Sequence, residues 1–378
     1  RVEGSPPPPL RSAAAVLVAR PDRGQEVLLC GGLARRAHAR AHAASLQPSQ
    51  RAATWQPLTK RTARLARHDH ALAVLGSRVF LFGGCCAGAF LDDVIEIELG
   101  APTRLRPVSC DGEAPGPRSN TTFVPFRGAL WLLGGCRLDR APTELYSDTF
   151  VFDAQSWRKE HPAEPPSPRS GHSCIAWSDR LVVFGGWDGE QLLQDMLALD
   201  GSAWTLLSPG GVAPSPRACH SATLATDSRM VVYGGLANFD QAGDDLNCVQ
   251  EDRLHVLDLP LLTWSSVQVG GQPPPFRAFH CMLALPGSSS MILLGGGTRS
   301  DEEARNFNDW HELRWTSWCP ERHHLFPPST KSILFTWLLV GHRLRRFPWS
   351  LWLRIASWWV VAWEDVSGTG SPSCDLAR

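Results

Sequence analysis

Leu181-Val182-Val183-Phe184-Gly185-Gly186 is an apolar run closed by two glycines, and the chain spells this pattern six times. The other copies are Val27-Leu28-Leu29-Cys30-Gly31-Gly32, Val79-Phe80-Leu81-Phe82-Gly83-Gly84, Leu130-Trp131-Leu132-Leu133-Gly134-Gly135, Met230-Val231-Val232-Tyr233-Gly234-Gly235 and Met291-Ile292-Leu293-Leu294-Gly295-Gly296. Successive pairs lie 52, 51, 51, 49 and 61 residues apart. A lone Gly-Gly would carry no information. Six at a near-constant period define an internal repeat whose units pack on one another.

Other features keep phase with the glycines. An arginine opens the apolar stretch upstream of each pair: Arg11, Arg67, Arg118, Arg169, Arg217 and Arg277. In four units it begins Arg-x-x-His, giving His70, His172, His220 and His280, whereas unit 3 has Thr121 at that place. Downstream, an acidic residue opens a short strand, as in Asp148-Thr149-Phe150-Val151-Phe152-Asp153 and Asp195-Met196-Leu197-Ala198-Leu199-Asp200. A tryptophan follows at Trp157, Trp204 and Trp264, with Trp315 expected to serve unit 6 and Leu105 to substitute in unit 2. Short runs that are apolar throughout suit strands buried on both faces. Pro and Gly punctuate the loops between them.

This combination, repeated in register from about Arg11 to Trp318, resembles the kelch-repeat family. The resemblance implies an all-β, six-bladed kelch-type β-propeller over residues 11–318, with the Arg-led strand innermost and the Trp-bearing strand outermost. A Pro-rich segment, residues 1–10, precedes it, and an irregular Trp-rich C-terminal tail, residues 319–378, follows. Unit 1 departs from the pattern, since Leu33 to Ala44 is rich in Ala and Arg where an acidic-led strand is expected. Units 1 and 6 are the least regular and must meet. Neither terminus offers an obvious strand to lock that closure.

Composition narrows the function. The 378 residues carry 37 Lys plus Arg and 37 Asp plus Glu, a balance that argues against bulk nucleic-acid binding. The 11 cysteines include no C-x-x-C pair and read as buried free thiols of a reducing compartment. The opening Arg1-Val2-Glu3-Gly4-Ser5 before Pro6 to Pro9 does not read as a secretory signal, so the expected location is cytoplasmic, with the nucleus as alternative. In the tail, Trp337, Trp349, Trp352, Trp358, Trp359 and Trp363 crowd together with Arg343, Arg345, Arg346 and Arg354. A membrane-interface anchor is the sharper reading of that stretch and a non-family tail the plainer, preferred one.

No nucleophile elbow, phosphate loop or zinc spacing is present, and no cofactor is expected. The Arg-x-x-His elements recur in unit after unit, whereas an enzyme site requires asymmetry. The arginines either bridge blades through carbonyls and carboxylates, as buried charges must, or cluster at a channel mouth. In the second case Arg118, Arg169, Arg217 and Arg277 would take an acidic or C-terminal carboxylate motif of a protein or peptide. The acidic clusters Asp240, Asp244, Asp245, Glu251, Asp252 and Asp301, Glu302, Glu303, Asp309 lack a tight three-ligand spacing, so no metal is expected. A metal-dependent lyase or isomerase using them is the alternative. The copper enzymes that share this fold need Tyr ligands, and only Tyr146 and Tyr233 exist.

Function is therefore expected on the loops that follow each Gly-Gly. These carry Arg137, Arg140, Trp187, Asp188, Asn238, Asp240 and Arg299. The family resemblance implies a non-enzymatic scaffold or substrate-recognition propeller, including the adaptor role that kelch propellers play for ubiquitin ligases.

Overall fold

The alternation within Val79-Phe80-Leu81-Phe82 explains why the second strand of each unit is apolar throughout. In the computed structural model Phe80 and Phe82 face one neighbouring sheet, where they meet Phe123, Phe152 and Trp157, while Val79 and Leu81 face the other, where they meet Leu28 and Cys30. A strand buried on both faces has no polar side to display. The structure describes residues 2–20, 24–34, 40–47, 52–140, 142–226, 228–239, 246–248, 253–271, 273–286, 288, 290–298, 305–315 and 361–365.

Six antiparallel sheets of four strands form the blades of a β-propeller. Blade 2 is representative, with Ala71–Leu75, Arg78–Cys86, Ala89–Glu98 and Arg104–Val108 running from the axis outward. The core is divided into six clusters, one between each pair of neighbouring blades, and the cluster between blades 6 and 1 joins Ile292, Leu294 and Trp310 to Val27, Leu29 and Trp55. The outer-strand tryptophans pack across these seams. Trp157 lies 5.4 Å from Phe82 and Trp264 lies 5.4 Å from Phe184, ring centre to ring centre. Leu105 takes the tryptophan's register in blade 2, opposite Ile97, as Trp204 stands opposite Leu199 in blade 4.

Three expectations are corrected. Blade 1 has its third strand, Ala41–Gln47, paired with Gly24–Cys30, so the Ala-rich run resolves into a strand once past residue 40. Its outer tryptophan is Trp55, opposite Ala44. In blade 6, Trp315 ends the third strand, Trp310–Trp315, and the outer strand is Val361–Asp365, drawn from within the tail. Both ends of the chain thus supply strands, because Val2–Gly4 also adds to the outer edge of blade 1.

That last pairing recurs. The linker leaving one blade lays a short parallel strand on the outer edge of the next: Asp111–Gly112 on blade 3, Gly210–Gly211 on blade 5 and Gly270–Gly271 on blade 6. Glycine is required where the strap crosses the tryptophan, since a Cβ on Gly112 would lie 2.1 Å from the carbonyl oxygen of Trp157.

Candidate partner-binding face

Register fixes which loops share a face. Ala71 pairs with Phe82 and Leu75 with Arg78, so the Arg-led start of the inner strand lies beside the Gly-Gly end of the second. The loops after each Gly-Gly and the linkers into each inner strand therefore emerge together. The opposite face carries the tight turns, such as Arg127-Gly128 and Asp179.

At the loop face each arginine side chain ties its own blade together, and its backbone carbonyl joins that blade to the one before. Arg118 donates to Gly134 O at 3.1 Å and makes a bidentate pair with Asp148. Arg67 does the same with Gly83 O and Asp93, Arg169 with Gly185 O and Asp195, and Arg277 with Gly295 O and Asp309. Arg217 donates to Gly234 O and to Ser215. The carbonyl of each arginine accepts from the second glycine of the preceding blade, as Gly84 N–H donates to Arg118 O at 2.9 Å. The first glycine leaves room for that carbonyl, because a Cβ on Gly83 would stand 2.7 Å from Arg118 O at a φ of +64°.

Arg118, Arg169, Arg217 and Arg277 are only 0–2 % exposed. The first, second and fourth are neutralised by carboxylates of their own blades, so these guanidiniums neither cluster openly at the channel mouth nor bridge blades, and only the arginine carbonyls cross the seams. Asp309 belongs to the arginine pairing within blade 6. Burial pushes its carboxyl up, but hydrogen bonds from Arg277 and His311 outweigh this and hold it well below the usual carboxylate range.

Arg11 is also displaced from its expected role. Leu10 O accepts from Gly296 N–H at 2.8 Å, the position filled by arginine carbonyls elsewhere, and Arg11 stands one residue later, bridged to Leu33. The seam nevertheless closes. Leu10 N–H donates to Phe307 O at 2.9 Å, and Asn306 Nδ2 donates to Leu33 O at 3.0 Å.

The histidines sit between inner strands. His172, His220 and His280 place Nε2 at 3.2, 2.9 and 2.6 Å from the hydroxyls of Thr122, Ser173 and Ser221 on the preceding blade. Nδ1 of these three and of His70 has no hydrogen-bond partner among the described residues. Burial, then the charge of the neighbouring arginine, lowers His70, His172 and His280 to about 3, and lowers His220 well below its ordinary value. All four are neutral imidazoles at physiological pH.

Between the arginine and the histidine lies a position that the sequence reading passed over. Ser12, Asp69, Asn120, Gly171, Cys219 and Phe279 occupy it in blades 1 to 6, all in the left-handed region with φ of 51° to 63°. Their backbones close a ring around the axis. Asp69 N–H donates to Ser12 O, Asn120 to Asp69, Gly171 to Asn120, Cys219 to Gly171, Phe279 to Cys219 and Ser12 to Phe279, at 2.7–3.0 Å. This ring rims a polar axial well of about 150 Å³. The signal was in the sequence, as the one place inside a constant frame where every unit carries a different residue.

Around this centre stand the expected loop residues. Arg137 pairs with Asp139 at 2.7 Å and Arg140 with Glu144 at 3.2 Å. Trp187 is half-buried, and its backbone exchanges hydrogen bonds with Ser170 beside the ring. Asp188 shapes its own turn by accepting from the amides of Glu190 and Gln191. Asn238 lies in the strand Leu236–Phe239. Asp240 and Arg299 fall outside the described residues, as do the acidic clusters they neighbour apart from Asp309. Tyr146 was not anticipated. Its ring stacks 4.0 Å from the Arg118 guanidinium and its hydroxyl donates to Glu144, and burial followed by that carboxylate pushes the phenol up to about 12. Among the described residues no group of three or more His, Cys, Asp or Glu is placed to hold a metal ion.

Residues 1–161 and 104–296 match the family model described as the KLHDC2/KLHL20/DRC7 Kelch-repeats domain. The chain belongs to the kelch-repeat family. Among its relatives, acyl-CoA-binding domain-containing protein 4 of Arabidopsis thaliana is 29% identical over 66% of this chain and 38% of its own length. Putative adagio-like protein 2 of Oryza sativa subsp. japonica is 30% identical over 68% of this chain and 42% of its own. The Rab9 effector protein with kelch motifs of Rattus norvegicus is 29% identical over 53% of this chain and 54% of its own. The chain thus spans about two-fifths to a half of these three relatives. The solved structure of YjhT superposes with a TM-score of 0.63 at 15% identity, covering 82% of this chain and 97% of that one, a likeness of fold. The kelch propeller is typically a protein-interaction fold.

Proposed function

We propose that this kelch propeller is a non-enzymatic binding module that holds a protein or peptide partner on the loop face. The observation that carries the reading is the contrast between a constant frame and a varied rim. Arginine, histidine and glycine are consumed in bracing each blade and joining it to its neighbours, while the six ring residues and the loop residues Trp187, Tyr146 and Arg137 differ from blade to blade and face outward around one axis. A rigid ring presenting unlike side chains is how propellers achieve recognition, and a half-buried tryptophan beside charged groups suits an interface anchor. Carboxylates already occupy Arg118, Arg169 and Arg277, which takes three of the four expected forks away from an acidic or C-terminal motif. Presentation of substrates to a ubiquitin ligase is one form this reading can take. The proposed setting is cytoplasmic or nuclear. Cys30, Cys85, Cys86, Cys110, Cys136, Cys174, Cys219 and Cys281 are free thiols, as a reducing compartment keeps them.

The test compares proteins retained from lysate by the full chain, by Trp187→Ala, and by Arg127→Glu on the opposite face, with folding verified by circular dichroism. A partner lost with Trp187→Ala and kept with Arg127→Glu supports the loop face. A partner lost only with Arg127→Glu moves the site to the other side.

A further inference from the structure

The axial well has two unlike halves. Ser12, Asp69 and Asn120 follow one another on one arc, and Gly171, Cys219 and Phe279 form the other. On the polar arc, Asp69 keeps one carboxylate oxygen on His68 Nδ1 at 2.6 Å, and its Oδ1 has no hydrogen-bond partner among the described residues. The neighbouring Asn120 donates weakly to Ser119 and leaves its own Oδ1 unpartnered there too. The Asp69 side chain is 16% exposed, enough to be reached from the mouth. The opposite arc is small or apolar.

Charge distinguishes the well from the rest of the face. Its wall includes four buried histidines, all neutral, so Asp69 supplies the formal charge of the lining. Of the six arginines that open the blades, Arg67, Arg118, Arg169 and Arg277 are each paired with a carboxylate, and Arg217 is held by Gly234 O and Ser215. Farther out, Arg137 is held by Asp139, and His68 is the group that Asp69 already engages. A volume of about 150 Å³ far exceeds the ~10–15 Å³ that a single water requires.

We propose that this well receives one cationic side chain, arginine or lysine, from the bound protein partner. The head would meet Asp69 Oδ1 and Asn120 Oδ1 through charge-assisted hydrogen bonds, and the aliphatic stem would lie along Phe279 and Cys219, the way such stems cover apolar surface. The proposal rests on the loop-face reading but stands apart from it in what it predicts: the central specificity is for a cation, whatever the rim contacts.

The probe is N-acetyl-arginine methylamide, followed by saturation-transfer NMR on the full chain. The neutral isostere N-acetyl-citrulline methylamide and the anionic N-acetyl-glutamate methylamide serve as comparisons. Asp69→Asn is the matching variant, since asparagine tolerates the left-handed backbone of this position. The expected result is millimolar binding of the arginine amide, weakened about tenfold by Asp69→Asn, roughly the worth of one charge-assisted hydrogen bond, with the citrulline and glutamate amides weaker still. Equal binding of the arginine and citrulline amides to the wild-type chain overturns the proposal even if the variant does not fold. So does arginine binding that Asp69→Asn leaves unchanged. If either occurs while Trp187→Ala still abolishes partner capture, the cation site falls and the loop-face reading survives.

Discussion

Acidification should unfold this propeller well above the range where carboxylates titrate. His70, His172 and His280 stay neutral down to about 3 in the fold, and His220 behaves alike. In the unfolded chain each protonates near pH 6.5. Between those limits the unfolded state binds more protons, so stability rises with pH, is complete above the unfolded value, and drains as pH falls. Each imidazole removes about 1.4 kcal/mol for every unit below ~6.5, so moving from about pH 7.5 to about pH 5.5 costs roughly 5–6 kcal/mol if the four sites add. That is comparable to the whole stability of a typical domain, about 5–15 kcal/mol. The assay is urea unfolding followed by tryptophan fluorescence across this range at constant ionic strength. Near pH 5 the slope of stability against pH should correspond to about four protons, and His172→Gln should reduce it by about one. A slope below about one proton would mean that the imidazoles are solvated in the fold and would refute the reasoning.

Two further predictions concern the joints. Gly83→Ala and Gly76→Ala both place alanine at positive φ, +64° and +62°, yet only the first meets backbone, at 2.7 Å from Arg118 O, while nothing lies within 4 Å of the second. Gly76→Ala should cost about 1–2 kcal/mol and Gly83→Ala at least ~2 kcal/mol more, by denaturant midpoints, and equal costs would sink the close-approach argument. Truncation after residue 318 removes Val361–Asp365 and leaves the third strand of blade 6 with a bare edge. Its melting temperature should drop and its aggregation rise, whereas an unchanged melt would show that the strand is dispensable.

Much of this architecture was legible in the chain because the repeat leaves a two-sided imprint. Runs such as Val79 to Phe82 must be apolar at every position, and the glycines that follow admit a neighbouring backbone, so period, blade number and the substitution of Leu105 could all be read. What escaped has equally physical reasons. The carbonyl that meets Gly296 belongs to Leu10, and a backbone acceptor leaves no mark on residue type, so the adjacent Arg11 looked like the better match. The outer strand of blade 6 is separated from its unit by a long stretch without the repeat's signature, which made Trp315 the natural but mistaken choice. Gly4, Gly112 and Gly211 resembled loop punctuation, yet each is fixed by a tryptophan carbonyl that would stand 2.0–2.2 Å from its Cβ. For the site, the arginines drew attention because they repeat, and repetition was the sign that they serve the frame. The residues proposed for recognition are the ones that do not repeat.

The linker straps bear on how the outer edges are kept from pairing with other chains. A propeller blade ends in an outer strand whose free N–H and C=O groups would accept a strand from another chain, and a strap from the preceding linker occupies that edge on blades 1, 3, 5 and 6, with a single bridge from Ala163 to Ala203 on blade 4. Among the described residues blade 2 has none, and its outer strand, Arg104–Val108, is built differently. Arg104 and Arg106 stand exposed on it, Pro107 offers no N–H, and Leu105 O is taken by the Arg64 side chain at 3.2 Å. Charge and proline are the usual guards of an open edge. Blade 2 is therefore the place where a conservative-looking change, Pro107 or Arg106 to a β-branched apolar residue, would leave an edge open to strands of other copies.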